Sequence, residues 1–206
     1  VKTKVISDHD IDNVYELMKN EMKSGRQCFI VYPIIEESEK LDLKAAMTAY
    51  EKLNKDVFKD FTVGYIDGRI KKEDRDIEMK KFLRNEIQCI VSTTVIEVGI
   101  NIPNATLMII ENVERFGLAQ LHQLRGRVTR GNLQSNCVLI YNQNLSELSK
   151  QRLLILKKSS DGFEIAEKDL YLRGAGDFFG TNQTGLPSWK FFRPHEDHTL
   201  LNSVKE

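Results

Sequence analysis

Residues 87–103 read Ile-Gln-Cys-Ile-Val-Ser-Thr-Thr-Val-Ile-Glu-Val-Gly-Ile-Asn-Ile-Pro, an apolar run that ends in hydroxyl side chains and a glycine. The part from Ile87 to Ser92 is short and rich in β-branched residues, which is typical of a fully buried strand. Ligands of open α/β sheets gather where parallel strands end. This stretch therefore predicts a buried strand whose carboxyl end carries a binding site.

Four more runs of this kind occur along the chain, and longer amphipathic segments separate them. We predict strands at Cys28–Tyr32, Thr62–Ile66, Ile87–Ser92, Thr106–Glu111 and Asn136–Tyr141. We predict helices at Asp10–Lys23, Leu41–Leu53, Lys71–Arg84, Gly117–Val128 and Leu145–Ser160. In the third helix, Met79, Phe82 and Leu83 are predicted to face the core. Alternating elements with continuous apolar strands predict an α/β fold, a parallel sheet with helices on both faces.

The composition of the chain indicates where a polyanionic partner could bind and in which compartment the protein is located. The chain has 30 basic and 30 acidic residues, but residues 115–195 carry 12 basic against 6 acidic ones, so we expect any polyanion contact there. The three cysteines lie in apolar runs without the spacing of metal ligands, which predicts buried free thiols, no metal site and a reducing compartment. No apolar stretch is long enough for a membrane span, and we predict a cytoplasmic protein.

A change in composition after Tyr141 predicts a domain boundary. Asn142, Gln143 and Asn144 interrupt the strand pattern, and a glycine-rich stretch follows at residues 172–185. We predict one domain over residues 1–143. Residues 144–206 are expected to form a small, mainly helical extension with a glycine-rich loop.

Residues 122–131 read His-Gln-Leu-Arg-Gly-Arg-Val-Thr-Arg-Gly, which favours phosphate chemistry. On one helix, Gln123, Arg127 and Arg130 fall on a single face, and Gly126 leaves space beside Arg127. Two guanidiniums on an anchored face suit a phosphate chain with developing negative charge. The alternative is an ordinary solvated basic face. A second, apolar face would anchor the helix through Leu121, Leu124 and Val128.

These two stretches together resemble the second RecA-like lobe of superfamily 2 nucleic-acid translocases. Ser92–Pro103 resembles motif V of that superfamily, residues 123–130 resemble motif VI, and Cys28–Glu37 is similar to motif IV. The resemblance implies that two arginines reach ATP on a first lobe, with catalytic roles for Gln123, Arg127 and Arg130. It also implies nucleotide contacts by Glu97, Gly99 and Asn101, and DNA contacts by Ser92, Thr93 and Thr94.

A narrower resemblance is to the RecG family of helicases. It rests on Thr93–Gly99, on Glu114–Arg127 and on a downstream translocation motif, whose parts include Arg152-Leu153, Asp161–Leu170, Arg173-Gly174 and Gly180–Gly185. The resemblance implies that Arg152 and Arg173 sense closure of the two lobes and that Gln183 engages the duplex backbone, levered by a flexible loop at Gly174–Gly185. The chain departs from the pattern at Thr129, where glycine is usual, and at Asp67, since Asp67-Gly68-Arg69 stands where the family commonly has His-Gly-Arg. Asn101 often is Asp in the family, and Ala175 often is proline.

Two motifs of a P-loop NTPase are not in this sequence, the phosphate-binding glycine loop and the magnesium-binding acidic box. We therefore expect ATP with Mg²⁺ to be bound mainly by a missing first lobe and this chain alone to be inactive. The resemblance implies the C-terminal lobe of an ATP-dependent double-strand DNA translocase in DNA repair and recombination. Its expected partners are forked or branched DNA, an N-terminal lobe and a wedge domain.

Two alternatives remain open on the sequence alone. One is the corresponding lobe of the transcription-repair coupling factor, although the chain's end soon after Gly185 favours the RecG family. The other is a non-catalytic adaptor with a RecA-like fold, which would have no use for Gln123, Arg127 and Arg130.

Overall fold

A computed structural model of the chain describes residues 1–93, 102–128, 134–142 and 145–178, the last six of them as backbone only. Its strands are β1 Lys2–Ser7, β2 Gln27–Tyr32, β3 Val63–Ile66, β4 Cys89–Thr93, β5 Ala105–Ile110 and β6 Asn136–Tyr141. Its helices are α1 Ile11–Lys23, α2 Glu39–Lys52, α3 Lys72–Leu83, α4 Leu118–Arg125, α5 Glu147–Lys158 and α6 Gly162–Phe178.

The six strands form one sheet in the order β1-β6-β5-β2-β4-β3, and every neighbouring pair is parallel. All the carboxyl ends therefore meet at one end of the sheet, the carboxyl edge. The five predicted strands are confirmed to within two residues at each end. The predicted parallel sheet is confirmed as well.

Both faces of the sheet are buried, because successive side chains of each strand enter opposite cores. In β2, Phe29 and Val31 join one apolar core, whereas Cys28 and Ile30 join the other. Residues of α3, α4 and α5 cover the first face, and residues of α1 cover the second. The three cysteines are buried free thiols, as the sequence predicts.

The rotation of α3 differs from the sequence prediction. Met79 and Phe82 are buried, but Leu83, which was expected in the core, is 47% exposed. The ring of Phe82 packs edge-on against Phe29, with 4.9 Å between the ring centroids. This contact fixes the face that α3 turns inward, and Leu83 is the last residue of the helix.

Strand β1 is not among the predicted strands, and helix α6 was expected only in general terms, as part of a mainly helical extension. The first strand pairs with β6 at the edge of the sheet and alternates between exposed and half-buried side chains, so it lacks a continuous apolar run. Helix α6 continues to Phe178, and the prediction of a flexible loop beginning at Gly174 is therefore wrong for residues 174–178. Ile165 and Leu172 are buried along it, and burial of such side chains offsets the low helix propensity of glycine.

By internal contacts the chain divides into two units, residues 1–171 and residues 172–206. The boundary predicted near residue 143 from the change in composition stays a prediction. Within the described segments, no helix combines the length and the apolar character that crossing a membrane requires. The same segments hold no group of three or more His, Cys, Asp or Glu residues that could bind a metal ion.

Candidate functional site

The arginine-bearing segment begins at a defined point and is anchored by one apolar face. The Gly117 backbone N–H donates to Gln120 Oε1 over 3.1 Å, which caps the start of α4. Helix α4 ends at Arg125, and Gly126–Val128 continue it as a tighter 3-10 turn. The predicted apolar face is confirmed, since Leu121, Leu124 and Val128 are buried.

The predicted catalytic residues are only partly described. Gln123 is exposed on α4, and Arg127 is half-buried in the 3-10 turn, so the two do not share one continuous α-helix. A Cβ atom at Gly126 would meet no atom within 4 Å among the described residues, so the position beside Arg127 is open. Arg130 lies outside the described residues.

The sequence analysis did not single out Arg125, which is 6% exposed and has a structural role in α4. Its Nη1 nitrogen donates to the carbonyl oxygens of Leu156 at 2.8 Å and Ser159 at 2.9 Å. These carbonyls belong to the last turn of α5 and its C-cap, where backbone acceptors otherwise lack donors. A sequence signal existed, because position 125 continues the apolar spacing of Leu121, Leu124 and Val128.

His122 extends this connection to the start of α6. Arg125 Nη2 lies 2.9 Å from His122 Nδ1. Burial lowers the pKa of His122, and the Arg125 charge lowers it further against the opposing effect of Asp161. A neutral imidazole accepts from Arg125, and on the other side of the ring a Cβ at Gly162 would come within 3.1 Å of Nε2. A side chain at position 162 would therefore require a small shift of the His122 ring.

Ser92 and Thr93, predicted DNA contacts, end β4 at the carboxyl edge. Both side chains are fully buried, and Ser92 Oγ donates to the Thr93 carbonyl oxygen. Within the described part of the chain, Thr93 Oγ1 has no hydrogen-bond partner. Their hydroxyls therefore do not face solvent at this edge. Four further predicted site residues lie outside the described segments, namely Thr94, Glu97, Gly99 and Asn101.

The neighbouring strand β3 ends in a cluster around Asp67, which is 2% exposed. Asp67 accepts hydrogen bonds from the Arg69 backbone and guanidinium and from the Tyr65 hydroxyl. Burial disfavours the Asp67 carboxylate, but these hydrogen bonds outweigh burial and hold its pKa below the ordinary value. Burial and the Asp67 charge raise the pKa of Tyr65 to about 12.

A second buried carboxylate joins the segment after β2 to the segment before α4. Arg115 donates to both oxygens of Asp42, over 2.7 Å from Nη1 and 2.9 Å from Nη2. Asp42 also accepts from the Ser38 hydroxyl and the Ile35 backbone. Burial opposes ionisation of Asp42, but these hydrogen bonds and the Arg115 charge outweigh it and lower the pKa.

The end of β5 carries a third buried carboxylate, Glu111, at the carboxyl edge. Burial, together with the charges of Asp8 and Glu114, raises the pKa of Glu111 to about 7. Burial and the Glu111 charge in turn raise the pKa of Tyr15 to about 12. Glu111 is 9% exposed.

The predicted coupling residues are spread over α5, α6 and the region beyond. Arg152 is half-buried on α5, and its Nε atom has no hydrogen-bond partner among the described residues. Arg173 lies on the part of α6 that is described as backbone only, and Gln183 lies outside the described residues. A pairing of Arg152 with Arg173 stays a prediction.

The parallel sheet and the arginine-bearing segment after β5 define a helicase motor lobe. Residues 9–132 match the helicase conserved C-terminal domain, and the chain belongs to that family. Residues 159–201 match the family described as ATP-dependent DNA helicase RecG, domain 3, C-terminal. The resemblance to the RecG lobe that the motifs indicate is thereby confirmed.

Individual relatives match this chain over all or nearly all of its length. ATP-dependent DNA helicase RecG of Synechocystis is 47% identical over 206 residues, which is all of this chain and 25% of that protein. A structure of RecG bound to a three-way DNA junction matches with a TM-score of 0.75 and 42% identity, covering 98% of this chain and 25% of that one. Domain 2 of the DEAD-box helicase Mss116p, at 19% identity and a TM-score of 0.56, shares the fold. The chain thus spans about a quarter of the RecG relatives that it matches.

Proposed function

We propose that this chain is the C-terminal motor lobe of an ATP-dependent helicase that moves on double-stranded DNA at stalled forks and branched recombination intermediates. The observation that carries the proposal is the match, over 98% of the chain, to RecG bound to a three-way DNA junction. The match to the C-terminal part of RecG domain 3 favours this function over that of the coupling factor. The buried free thiols support a cytoplasmic location.

In the proposed mechanism, Arg127 and Arg130 act on ATP that a first lobe binds together with Mg²⁺. Arg127 follows an open position at Gly126, and its half-buried side chain keeps part of its surface accessible. A guanidinium there stabilises charge on the transferred phosphoryl group in the transition state. Gln123 is exposed on the preceding turn, where a polar side chain can orient groups at the same interface. Glu97, Gly99 and Asn101 are proposed to line the nucleotide.

The contacts of Arg125 and His122 support a mechanical connection between the proposed nucleotide site and the segments proposed to contact DNA. Arg125 holds the last turn of α5, and His122 lies against the first residue of α6. A shift of α4 when Arg127 engages phosphate is therefore passed to the two helices that carry Arg152 and Arg173. We propose that this pair senses closure and that Gln183 and Thr94 engage the duplex, whereas the side chains of Ser92 and Thr93 are buried in this structure and do not reach it.

The test uses a complete helicase in which this chain is the second lobe, with the 206-residue chain alone as a comparison. We expect the complete protein to hydrolyse ATP in response to a three-way junction and to reverse model forks. The chain alone is expected to show no DNA-stimulated hydrolysis. Turnover by the chain alone, free of contaminating ATPase, would contradict the two-lobe proposal.

The coupling step has its own experiment. We expect Gln183→Ala and Arg173→Ala to keep junction binding and much of the DNA-stimulated ATPase while fork reversal is lost. Exposed Lys55→Ala, far along the chain from this segment, is the matched control and should leave all three activities unchanged. An equal loss of ATPase and fork reversal would mean that the segment supports folding rather than coupling.

A further inference from the structure

The end of β3 presents one exposed cation that is held from beneath. Arg69 is 60% exposed, whereas its partner Asp67 is 2% exposed. Arg69 Nε and Nη2 both donate to Asp67 Oδ2, over 3.2 Å and 2.7 Å, and the Arg69 backbone N–H donates to Oδ1 over 2.8 Å. The guanidinium is therefore fixed against the sheet on one side and open to solvent on the other.

The arrangement of charge at this pair is directional. The Asp67 carboxylate is buried and also accepts a hydrogen bond from the Tyr65 hydroxyl over 3.1 Å. Its oxygens are therefore occupied by protein donors rather than by solvent. The positive charge of Arg69 lies outward, where Nη1 has donors that these contacts do not use. An arginine held in this way loses less side-chain freedom when it binds a phosphate oxygen than a mobile one does.

The pair also lies next to the proposed DNA-binding edge. Strands β3 and β4 are parallel neighbours, and Ile66 is in register with Ser92. Asp67 follows Ile66 directly, so Arg69 leaves the carboxyl edge beside the strand that leads into the motif V segment. Ser92 and Thr93 are themselves buried, and Arg69 supplies an exposed donor that they do not.

We propose that Arg69 is a contact to a DNA backbone phosphate and that Asp67 is the positioning residue that aims it. This inference rests on the proposed function, since it adds a residue to the same DNA-binding edge. Contacts to phosphate position a protein on the duplex without reading its sequence. Arg69 is therefore expected to contribute to the binding of any duplex arm.

The test is the salt dependence of junction binding by the complete helicase. Each phosphate neutralised contributes about 0.9 to the slope of log affinity against log salt concentration. Arg69→Gln is expected to reduce that slope by about 0.9. The control is Arg84→Gln, because Arg84 is 73% exposed and follows α3 at the amino edge of the sheet, near Glu86. We expect the control to keep the parent slope.

Asp67 is tested with two variants. Asp67→Ala keeps Arg69 but removes its support, and we expect a reduced slope. Asp67→Asn keeps an acceptor for the guanidinium and is expected to restore most of the slope, even if Asp67→Ala lowers the thermal midpoint.

Three outcomes separate the possibilities. If Arg69→Gln keeps the parent slope, Arg69 makes no phosphate contact, although the proposed function stands as long as the parent binds junctions. If the salt-dependence slope of Asp67→Ala equals or exceeds that of the parent, Asp67 only neutralises Arg69 and does not position it. If the parent itself fails to bind junctions, the proposed function is wrong.

Discussion

The guanidinium of Arg125 donates to the backbone carbonyl of Ser159 across 34 residues of sequence, at 2.9 Å. One side chain of α4 thereby satisfies the C-terminal end of α5, together with the carbonyl of Leu156. Among the described residues, Arg127, two positions later, makes no such link, and its side chain is half-buried. Arg125 therefore has a structural role in this segment, whereas the proposed chemical role falls to Arg127.

Replacing Arg125 is expected to destabilise the chain. Arg125→Ala leaves the carbonyls of Leu156 and Ser159 without this donor, and each buried acceptor left unsatisfied costs about 1–3 kcal/mol. Urea unfolding of the chain measures the loss. Arg127→Ala is the comparison and should cost less than Arg125→Ala, because Arg127 is half-buried and, among the described residues, makes no hydrogen bond to the α5 carbonyls. Equal losses would show that Arg125 is not structural.

Replacing Arg127 is expected to reduce turnover in the complete helicase instead. Arginine fingers contribute on the order of 10³–10⁵ in kcat, because they act on transition-state charge. We expect Arg127→Ala to reduce kcat within that range while the Kd for ATP stays close to the parent value. Single-turnover kinetics and nucleotide titration separate the two quantities. If affinity and rate fell in proportion, Arg127 would hold the ground state.

Glu111 makes stability depend on pH near neutrality. Its carboxyl has a pKa of about 7 in the folded chain against an ordinary 4.5, so the folded state binds more protons between these values. Stability therefore falls as pH rises from about 4.5 to 7 and stays lower above that. Glu111→Gln removes this penalty. We expect the variant to be more stable than the parent at pH 8, by at most about 3 kcal/mol, and to lose this advantage near pH 5.

The control for this pH effect is the exposed Glu73→Gln. We expect the unfolding free energy of this variant to differ from that of the parent by the same small amount at pH 5 and at pH 8. If the difference in unfolding free energy between Glu111→Gln and the parent did not change with pH, the pKa of Glu111 would not be raised in the folded chain.

The Asp42–Arg115 ion pair depends on pH in the opposite sense. The pKa of Asp42 is lowered in the folded state, so its contribution is complete above the ordinary value of 3.8 and is lost as pH falls through the lower, folded value. We expect Asp42→Asn to cost about 1–3 kcal/mol at pH 7, because it weakens hydrogen bonds to a charged, buried group. Urea unfolding at pH 7 and pH 3 checks this.

A surface pair provides the comparison. Glu51 lies 4.0 Å from Lys55, and both side chains are more than half exposed. Glu51→Gln is expected to change stability by less than about 1 kcal/mol at either pH. A loss as large as that of Asp42→Asn would show that burial does not set the difference.

The sheet could be predicted from the sequence where burial on both faces forces an uninterrupted apolar run. Strand β6, Asn136–Tyr141, has the same bounds in the prediction and in the structure. Strand β1 could not be found this way, because one edge strand with Lys2 and Lys4 exposed has no such run. The end of helix α6 was predicted as a loop because Gly174 and Gly176 lie there, whereas Ile165 and Leu172 are buried along the helix.

The site was predictable to the extent that spacing along the chain determines it. Gln123 and Arg127 are four residues apart, and their catalytic roles stay a prediction; the structure places them on α4 and on the 3-10 turn that follows it. The partner of Arg125 could not, because the α5 carbonyls lie more than 30 residues away and carry no sequence signal of their own. Asp67 likewise looks like an ordinary turn residue until the tertiary structure buries it beneath Arg69.

The pairing of β1 with β6 sets an order of assembly during synthesis. The chain emerges from the ribosome amino end first, yet Lys2–Ser7 finds its neighbour only when Asn136–Tyr141 has appeared. Strands β2 to β5 pair among themselves and can assemble earlier. Among the six strands, β1 is therefore the first to be made and the last to find its neighbour, and its backbone stays unpaired until β6 has appeared.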